Sequence, residues 1–372
     1  MIQKLGDIAT YINGYAFKPA DRGSKGLPII RIQDLTGNSY DLGFYNGIYP
    51  KKIEINNGDI LISWSGSLGI FLWNGGKALL NQHIFKVVFD KKDIDKHYFL
   101  FAVKEKLNEM SLKTHGATMK HIIKSDFENI TISVPDLNEQ KRISNMLLKI
   151  ETLIKMRKNQ IQHYNTLTKA LFVEMFGDFV ENPKCYKKEP IETHVDLLSG
   201  YPFKSSQYVD VGINICGGLI IMPQTIKWED CLHWESTDGY EEYMLQENDI
   251  VMALDRPWIS DGFKIAKVDA EHLPALLIQR TARIRAIDIN QEYLYYCFII
   301  GGFERHSSIT GSLVPHISLK DIRSFQILIP PLKLQEQFAD IVGKIDKHKS
   351  VVQKSLDETQ LLFDSLMQKY FG

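Results

Sequence analysis

Two stretches of the chain set apolar residues in alternating steps of four and three. The first runs through Ile143, Leu147, Ile150, Ile154, Arg157, Ile161, Tyr164, Thr168, Leu171 and Met175; the second through Phe338, Val342, Ile345, Lys349, Val352, Leu356, Thr359, Phe363, Leu366 and Tyr370. This spacing keeps one stripe on one face of a helix, as in the seam of a coiled coil. Each stripe covers 33 residues, about 50 Å at 1.5 Å per residue. A helix of that length with a single apolar stripe is not stable alone in water. The economical arrangement packs the two helices on each other, antiparallel. The alternative folds each helix back on the core of its own neighbouring module.

Elsewhere the pattern is of short apolar, β-branched or aromatic runs bounded by Gly, Asn and Asp. GDILISWS and IFKVVF read as strands, and so do DIVMAL, TARIRAI and FQILIP. Asp95–Met110 and Asn290–Phe303 read as short helices capped by Asp or Asn. These elements come in two copies. An offset of 195 aligns Gly116 with Gly311, His121 with His316, Asp126 with Asp321, Pro135 with Pro330, Gln140 with Gln335, and Phe176-Gly177 with Phe371-Gly372. Upstream the offset drifts: NGYAFK and SGYPFK lie 186 apart, GDILIS and NDIVMA 190 apart. Drift of this kind means insertions in loops, and a period so long is that of a duplicated module plus helix, not of a solenoid.

Composition agrees with a globular protein of about two domains. The chain has 372 residues, 44% of them hydrophobic and 24% charged. No apolar run approaches a membrane span and the first residues lack the apolar core of a signal peptide, so a cytoplasmic protein with no membrane partner is expected. Cys185, Cys216, Cys231 and Cys297 form no metal-ligand spacing and read as reduced thiols. The formal net charge is −1. Up to residue 135 there are 17 Lys/Arg against 13 Asp/Glu, whereas residues 187–330 hold 13 against 20. Any contact with nucleic acid must therefore rest on local patches.

No catalytic constellation emerges. PDLNEQK, from Pro135 to Lys141, imitates the PD…ExK pattern of metal-dependent nucleases, but its acids fall within one turn at a helix start instead of on separate strands. Its proline and acid read as a helix-entry signal. NPKC, at Asn182–Cys185, lacks the second proline and the aromatic of the Asn-Pro-Pro-aromatic loop of adenine methyltransferases. Gly-rich cofactor loops, phosphate loops and nucleophile elbows are missing as well, and the eleven histidines have no ligand spacing. No metal site or cofactor is expected.

A Gly-[Ala/Ser]-x-x-x-His stretch (GATMKH, GSLVPH) leads through a strand ending in Pro to P-x-L-x-x-Q and then to a long heptad helix ending in Phe-Gly. Upstream stand GLPIIRIQDL, NNGDILISWSGSLGIF and LNQHIFKV. This set, written twice over essentially the whole chain, resembles the specificity subunit of type I restriction-modification systems. The resemblance implies a mixed α/β fold with an internal pseudo-twofold repeat, in which two long antiparallel coiled-coil helices separate two target-recognition domains. The corresponding boundaries are 1–137 and 183–332 for the domains, and 138–182 and 333–372 for the spacer helices. It further implies a non-catalytic subunit, each domain reading one half of a bipartite target in double-stranded DNA. Two methyltransferase subunits would dock on the helices and restriction subunits would join through the complex, with AdoMet, ATP and Mg²⁺ on those partners.

Loops on a rigid sheet are the natural place for base contacts. In the first module the candidates are Trp64, Ser65 and Ser67 after one strand, Asn81, Gln82 and His83 before the next, and Arg31 and Gln33 for bidentate hydrogen bonds. Lys18, Arg22, Lys113 and Lys120 suit phosphates. In the second module Arg256 and Trp258 answer the first loop and Gln279 and Arg280 the second, joined by Lys204, Lys264, Arg305, His306 and Ser307. Each of these has a solvated, non-contacting role as its alternative. His121 and His316, identical in modules that should read different sequences, are expected to be structural. Two other functions remain open on the residues alone: a cytoplasmic coiled-coil adaptor without a DNA role, and a DNA-binding enzyme subunit, nuclease or methyltransferase.

Overall fold

The computed structural model describes residues 1–38, 41–113, 122–306 and 315–372, and of residues 109–113 the backbone only. Its longer helices are α1 (Lys96–Lys113), α2 (Leu137–Phe176), α3 (Gln291–Ile300) and α4 (Leu332–Phe371). α2 and α4 have 40 residues each, about 60 Å. At the start of α2 the Asp136 carboxylate accepts the Glu139 N–H at 3.0 Å, so the Pro-Asp pair is a cap. Past its end Gly177 adopts φ +83° and its N–H bonds Val173 O at 2.8 Å, the left-handed stop that glycine permits.

The chain forms two compact units, residues 1–159 with 352–372 and residues 160–351. In the first, a four-stranded antiparallel sheet has the spatial order Thr10–Asn13, Ile84–Val88, Ile60–Ser63, Gly69–Leu72. A second sheet orders Phe44–Tyr45, Leu27–Ile30, Ala78–Leu80 and Glu54–Ile55, with Leu27–Ile30 parallel to Ala78–Leu80. Ile30, Ile55, Leu61, Leu79 and Ile84 form one buried cluster drawn from both sheets, each fully buried aliphatic side chain contributing about 1.5–3 kcal/mol.

The second unit repeats the plan. Val195–Ser199, Thr281–Ala286, Ile250–Ala253 and Ile265–Lys267 make the antiparallel sheet. Leu232–Trp234, Ile213–Cys216 and Ala275–Leu277 make the other, again with one parallel pair. The drift in offset beyond GDILIS has a visible source. Five residues join Ile60–Ser63 to Gly69–Leu72, whereas a two-stranded hairpin, Trp258–Ile259 with Gly262–Phe263, is inserted between Ile250–Ala253 and Ile265–Lys267.

Both heptad stripes are helical seams. In the first unit Ile143, Leu147, Ile150 and Ile154 of α2 and Leu356, Thr359 and Phe363 of α4 are buried. Arg142 donates to the Tyr370 hydroxyl at 3.3 Å and Arg157 to Ser355 O at 2.6 Å. Later residues of α2 thus meet earlier ones of α4, which makes the pairing antiparallel. In the second unit Phe172 and Phe176 pack edge-on against Phe338, at 5.5 and 5.3 Å between ring centroids. Helix-on-helix packing is accompanied by packing on the modules: Phe371 meets Tyr98 in the first unit, and Phe176 meets Tyr293 at 4.6 Å in the second.

Candidate nucleic-acid interface

One turn is built the same way in each unit. Where the parallel strand pair ends, the Asn81 N–H donates to Ile30 O at 3.0 Å, and the Ile278 N–H to Cys216 O at 3.2 Å. The next N–H, from Gln82 or Gln279, donates to Tyr15 O at 2.9 Å or Tyr201 O at 2.8 Å. Then follows a residue in the left-handed region, His83 at φ +71° and Arg280 at +64°. Its carbonyl accepts from Trp64 at 3.2 Å in the first unit and from Leu254 at 2.9 Å in the second. Backbone bonds alone therefore fix the turn, and the side chains upon it are free to differ.

Glycine makes room for this construction. A Cβ on Gly14 would lie 1.9 Å from Asn81 O, and one on Gly200 would lie 2.0 Å from Ile278 O. The duplicated Gly-Tyr of NGYAFK and SGYPFK is thus the point where a strand end passes under the turn.

In the second unit the turn borders a cavity of about 580 Å³ whose lining includes Gly217, Gly218, Leu219, Ile220, Asp230, Asp255, Arg256, Lys264, Gln279 and Arg280. Asp255 joins two of the site's groups: its carboxylate lies 3.2 Å from the Arg280 guanidinium and 2.6 Å from His316 Nδ1. Arg256, at φ +46°, is held by its N–H on Pro315 O at 3.0 Å. Lys264 is buried and its ammonium bonds the Gly218 carbonyl. Burial, and secondarily Arg256, pushes its pKa below the ordinary lysine range. Three cations against two carboxylates give this corner a local excess of positive charge inside an acidic module.

This duplicated construction has known relatives. The family model for the type I restriction modification DNA specificity domain matches residues 1–163 and 229–358. The chain belongs to the type I restriction-modification specificity family. It is 28% identical to the MjaVIII specificity subunit of Methanocaldococcus jannaschii over 381 residues, covering 96% of this chain and 89% of the relative. To the EcoAI specificity subunit of Escherichia coli it is 33% identical over 187 residues, 46% of this chain and 31% of that one. The crystal structure of the M. genitalium S subunit matches all of this chain and 96% of its own, with a TM-score of 0.60 at 15% identity. A specificity subunit is the non-catalytic, DNA-sequence-recognising component of its system. Among the described residues no helix is long and apolar enough to cross a membrane.

Around this subunit's turns the expected site residues divide. Gln82, Gln279, Arg256 and Arg280 are exposed and gathered at or beside the turns. Asn81 and His83 are half-buried, the His83 ring edge-on to Trp64 at 4.8 Å. Trp64 itself stacks on Phe85 at 5.6 Å, and Ser65 and Ser67 extend beyond it around Gly66. Lys18, Gln33, Lys204 and Arg305 are exposed but outside the turns.

Five of the expected residues are engaged within the protein. Arg31 is turned back onto Asp34, at 3.2 Å, and onto the Asp41 carbonyl, because Asp34 caps the short helix that Arg31 enters. Arg22 is likewise engaged by Asp41 at 3.0 Å. Lys264 is buried in the cavity wall, its ammonium on the Gly218 carbonyl. Trp258 belongs to the inserted hairpin and stacks on Phe263 at 5.0 Å. His306 Nε2 lies 3.1 Å from both Asp321 O and Ser324 Oγ. Lys120, His121 and Ser307 lie outside the described residues, as does the Lys113 side chain. Leu219, in the wall of this cavity, was not anticipated; a double glycine directly after a strand, Gly217-Gly218, was the available signal.

Proposed function

We propose that residues 1–137 and 183–332 are two target-recognition domains, each reading one half of a bipartite target in double-stranded DNA, and that residues 138–182 and 333–372 form the helices on which two methyltransferase subunits dock. The observation that carries this reading is the turn: an identical backbone frame presents Asn81-Gln82-His83 in one unit and Ile278-Gln279-Arg280 in the other. Such a frame allows different sequences to be read without altering the fold. Direct readout needs only donors and acceptors held at base edges, while surrounding cations such as Lys18, Lys204, Arg256 and Arg305 neutralise phosphates.

Docking is supported by apolar side chains that the seams leave outside. Leu153, Met156, Leu361 and Leu362 in the first unit, and Leu167, Val173, Ile341 and Val351 in the second, are exposed on α2 and α4. AdoMet, ATP and Mg²⁺ belong to the partner subunits, restriction subunits join through the assembled complex, and the protein acts in the cytoplasm.

The test is an exchange of residues 1–137 for the corresponding region of another specificity subunit, followed by methylome sequencing of cells that also make the methyltransferase. One half of the methylated motif should change and the other should persist. A change in both halves, or in neither, refutes the division of labour.

A further inference from the structure

We infer that the turns Gln82-His83 and Gln279-Arg280 are the elements that discriminate bases, with the glutamine reading adenine in each half-site and Arg280 reading a guanine beside it in the second. This rests on the reading in which each unit recognises one half of the target.

The glutamines stand at equivalent points. Each lies two residues past the end of a parallel strand pair and is fixed by its N–H on a tyrosine carbonyl, at 2.9 and 2.8 Å. Both side chains are exposed, and among the described residues neither amide has a hydrogen-bond partner. An unengaged primary amide presents one donor and one acceptor in one plane, the complement of adenine N7 and N6 in the major groove. The same residue in the same frame implies the same base at the same place in both half-sites.

The next position differs. Arg280 is exposed, with one edge of its guanidinium held by Asp255 at 3.2 Å, and Asp255 is in turn held by His316 at 2.6 Å. An arginine restrained on one side by a carboxylate keeps its remaining N–H groups as a fork, which matches guanine O6 and N7. Asp255 is thus a positioning residue. In the first unit the place is taken by His83, whose ring packs on Trp64 and whose Nδ1 is buried without a hydrogen-bond partner. It cannot form that fork, so the second base read should differ between half-sites.

The test uses the specificity subunit assembled with its methyltransferase subunits and a pool of randomised duplexes, from which bound sequences are selected and sequenced. Wild type should yield a two-part motif with adenine equally placed in both parts, and guanine next to it in the second only. Gln279→Ala should relax that adenine alone, and Arg280→Ala that guanine alone, each by roughly 5- to 150-fold in relative affinity. Asp255→Asn should lower the guanine preference while leaving the adenine intact, a pattern that mere loss of stability does not produce. Uniform weakening across all sequences by Arg280→Ala, with a shallower salt dependence, would make it a phosphate contact and overturn the inference. So would an unchanged two-part motif in the variants, which leaves the half-site reading standing. Failure of wild type to select any two-part motif would instead overturn that reading as well.

Discussion

The Gln140 side chain accepts the backbone N–H of Asp95 at 2.9 Å, while its amide donates to Pro135 O at 2.8 Å. One buried residue thereby ties the cap of α1 to the entry of α2. Gln335 does the same with Asn290 and Pro330, both at 2.8 Å. This is why the chain writes P-x-L-x-x-Q twice: the phrase is a clamp between a module and its long helix. Gln140→Ala should leave a buried donor and a buried acceptor unpaired, costing about 2–4 kcal/mol. Urea unfolding monitored by circular dichroism checks it, and a loss below about 0.5 kcal/mol would mean that the clamp contributes nothing.

Gly14 and Gly200 tolerate no side chain, since the added Cβ would meet a carbonyl oxygen at 1.9 or 2.0 Å. Gly200→Ala should destabilise the second unit by about 3 kcal/mol or more, because backbone must move. The displaced carbonyl belongs to Ile278, directly before Gln279, so specificity in one half-site should degrade before binding is lost. A thermal melt combined with sequence selection shows both. A variant as stable as wild type would contradict the packing.

Much of the architecture was legible in the sequence. Steps of four and three gave away both seams, and the duplication announced two modules of one plan. The capped helices also followed from local rules, for Asp95 and Asn290 each accept N–H bonds from the first turn. Legibility failed where a residue's fate depended on partners distant in the chain. Lys264 looked like a surface cation because nothing local marks it as the wall of a cavity. Asp255 acquires its meaning only from Arg280 and His316, on other segments. Arg31 is the instructive exception: its partner Asp34 is three residues away, so the capping arrangement was open to reading in the sequence.

Arg157 interrupts an apolar seam. It donates to Ser355 O at 2.6 Å and to the Thr359 hydroxyl, which itself donates to Ser355 O at 2.7 Å. In-register polar groups of this kind set pairing at some cost in stability. Arg157→Ala should lose about 1–3 kcal/mol through the forfeited charged hydrogen bonds and the gap left in the seam, whereas Arg157→Leu, which forfeits the same bonds but completes the apolar stripe, should stay within about 1 kcal/mol of wild type. Differential unfolding of the two variants decides it. Equal losses would show that the hydrogen bonds, which both variants forfeit, and not the filling of the stripe, matter at this position.

The buried tyrosines predict where stability fails on the alkaline side. Tyr98 is almost fully buried and donates its hydroxyl to Ser133 O at 2.9 Å; burial, helped by nearby Glu139, pushes its pKa up to about 12. Tyr293 repeats the arrangement on Leu328 O at 2.7 Å and is raised further, again by burial first. A phenol whose folded pKa exceeds its unfolded value of about 10 contributes nothing pH-dependent at lower pH, where both states are protonated. Between about 10 and 12 the unfolded chain releases its proton and the folded one does not, so folding stability falls as pH rises. Unfolding midpoints should therefore be flat through neutral pH and drop steeply above about pH 10. Tyr98→Phe should be less stable at neutral pH, by about 1 kcal/mol for the lost hydrogen bond, yet show a shallower alkaline limb. An identical limb in the variant, relative to its own neutral value, would remove Tyr98 from the cause.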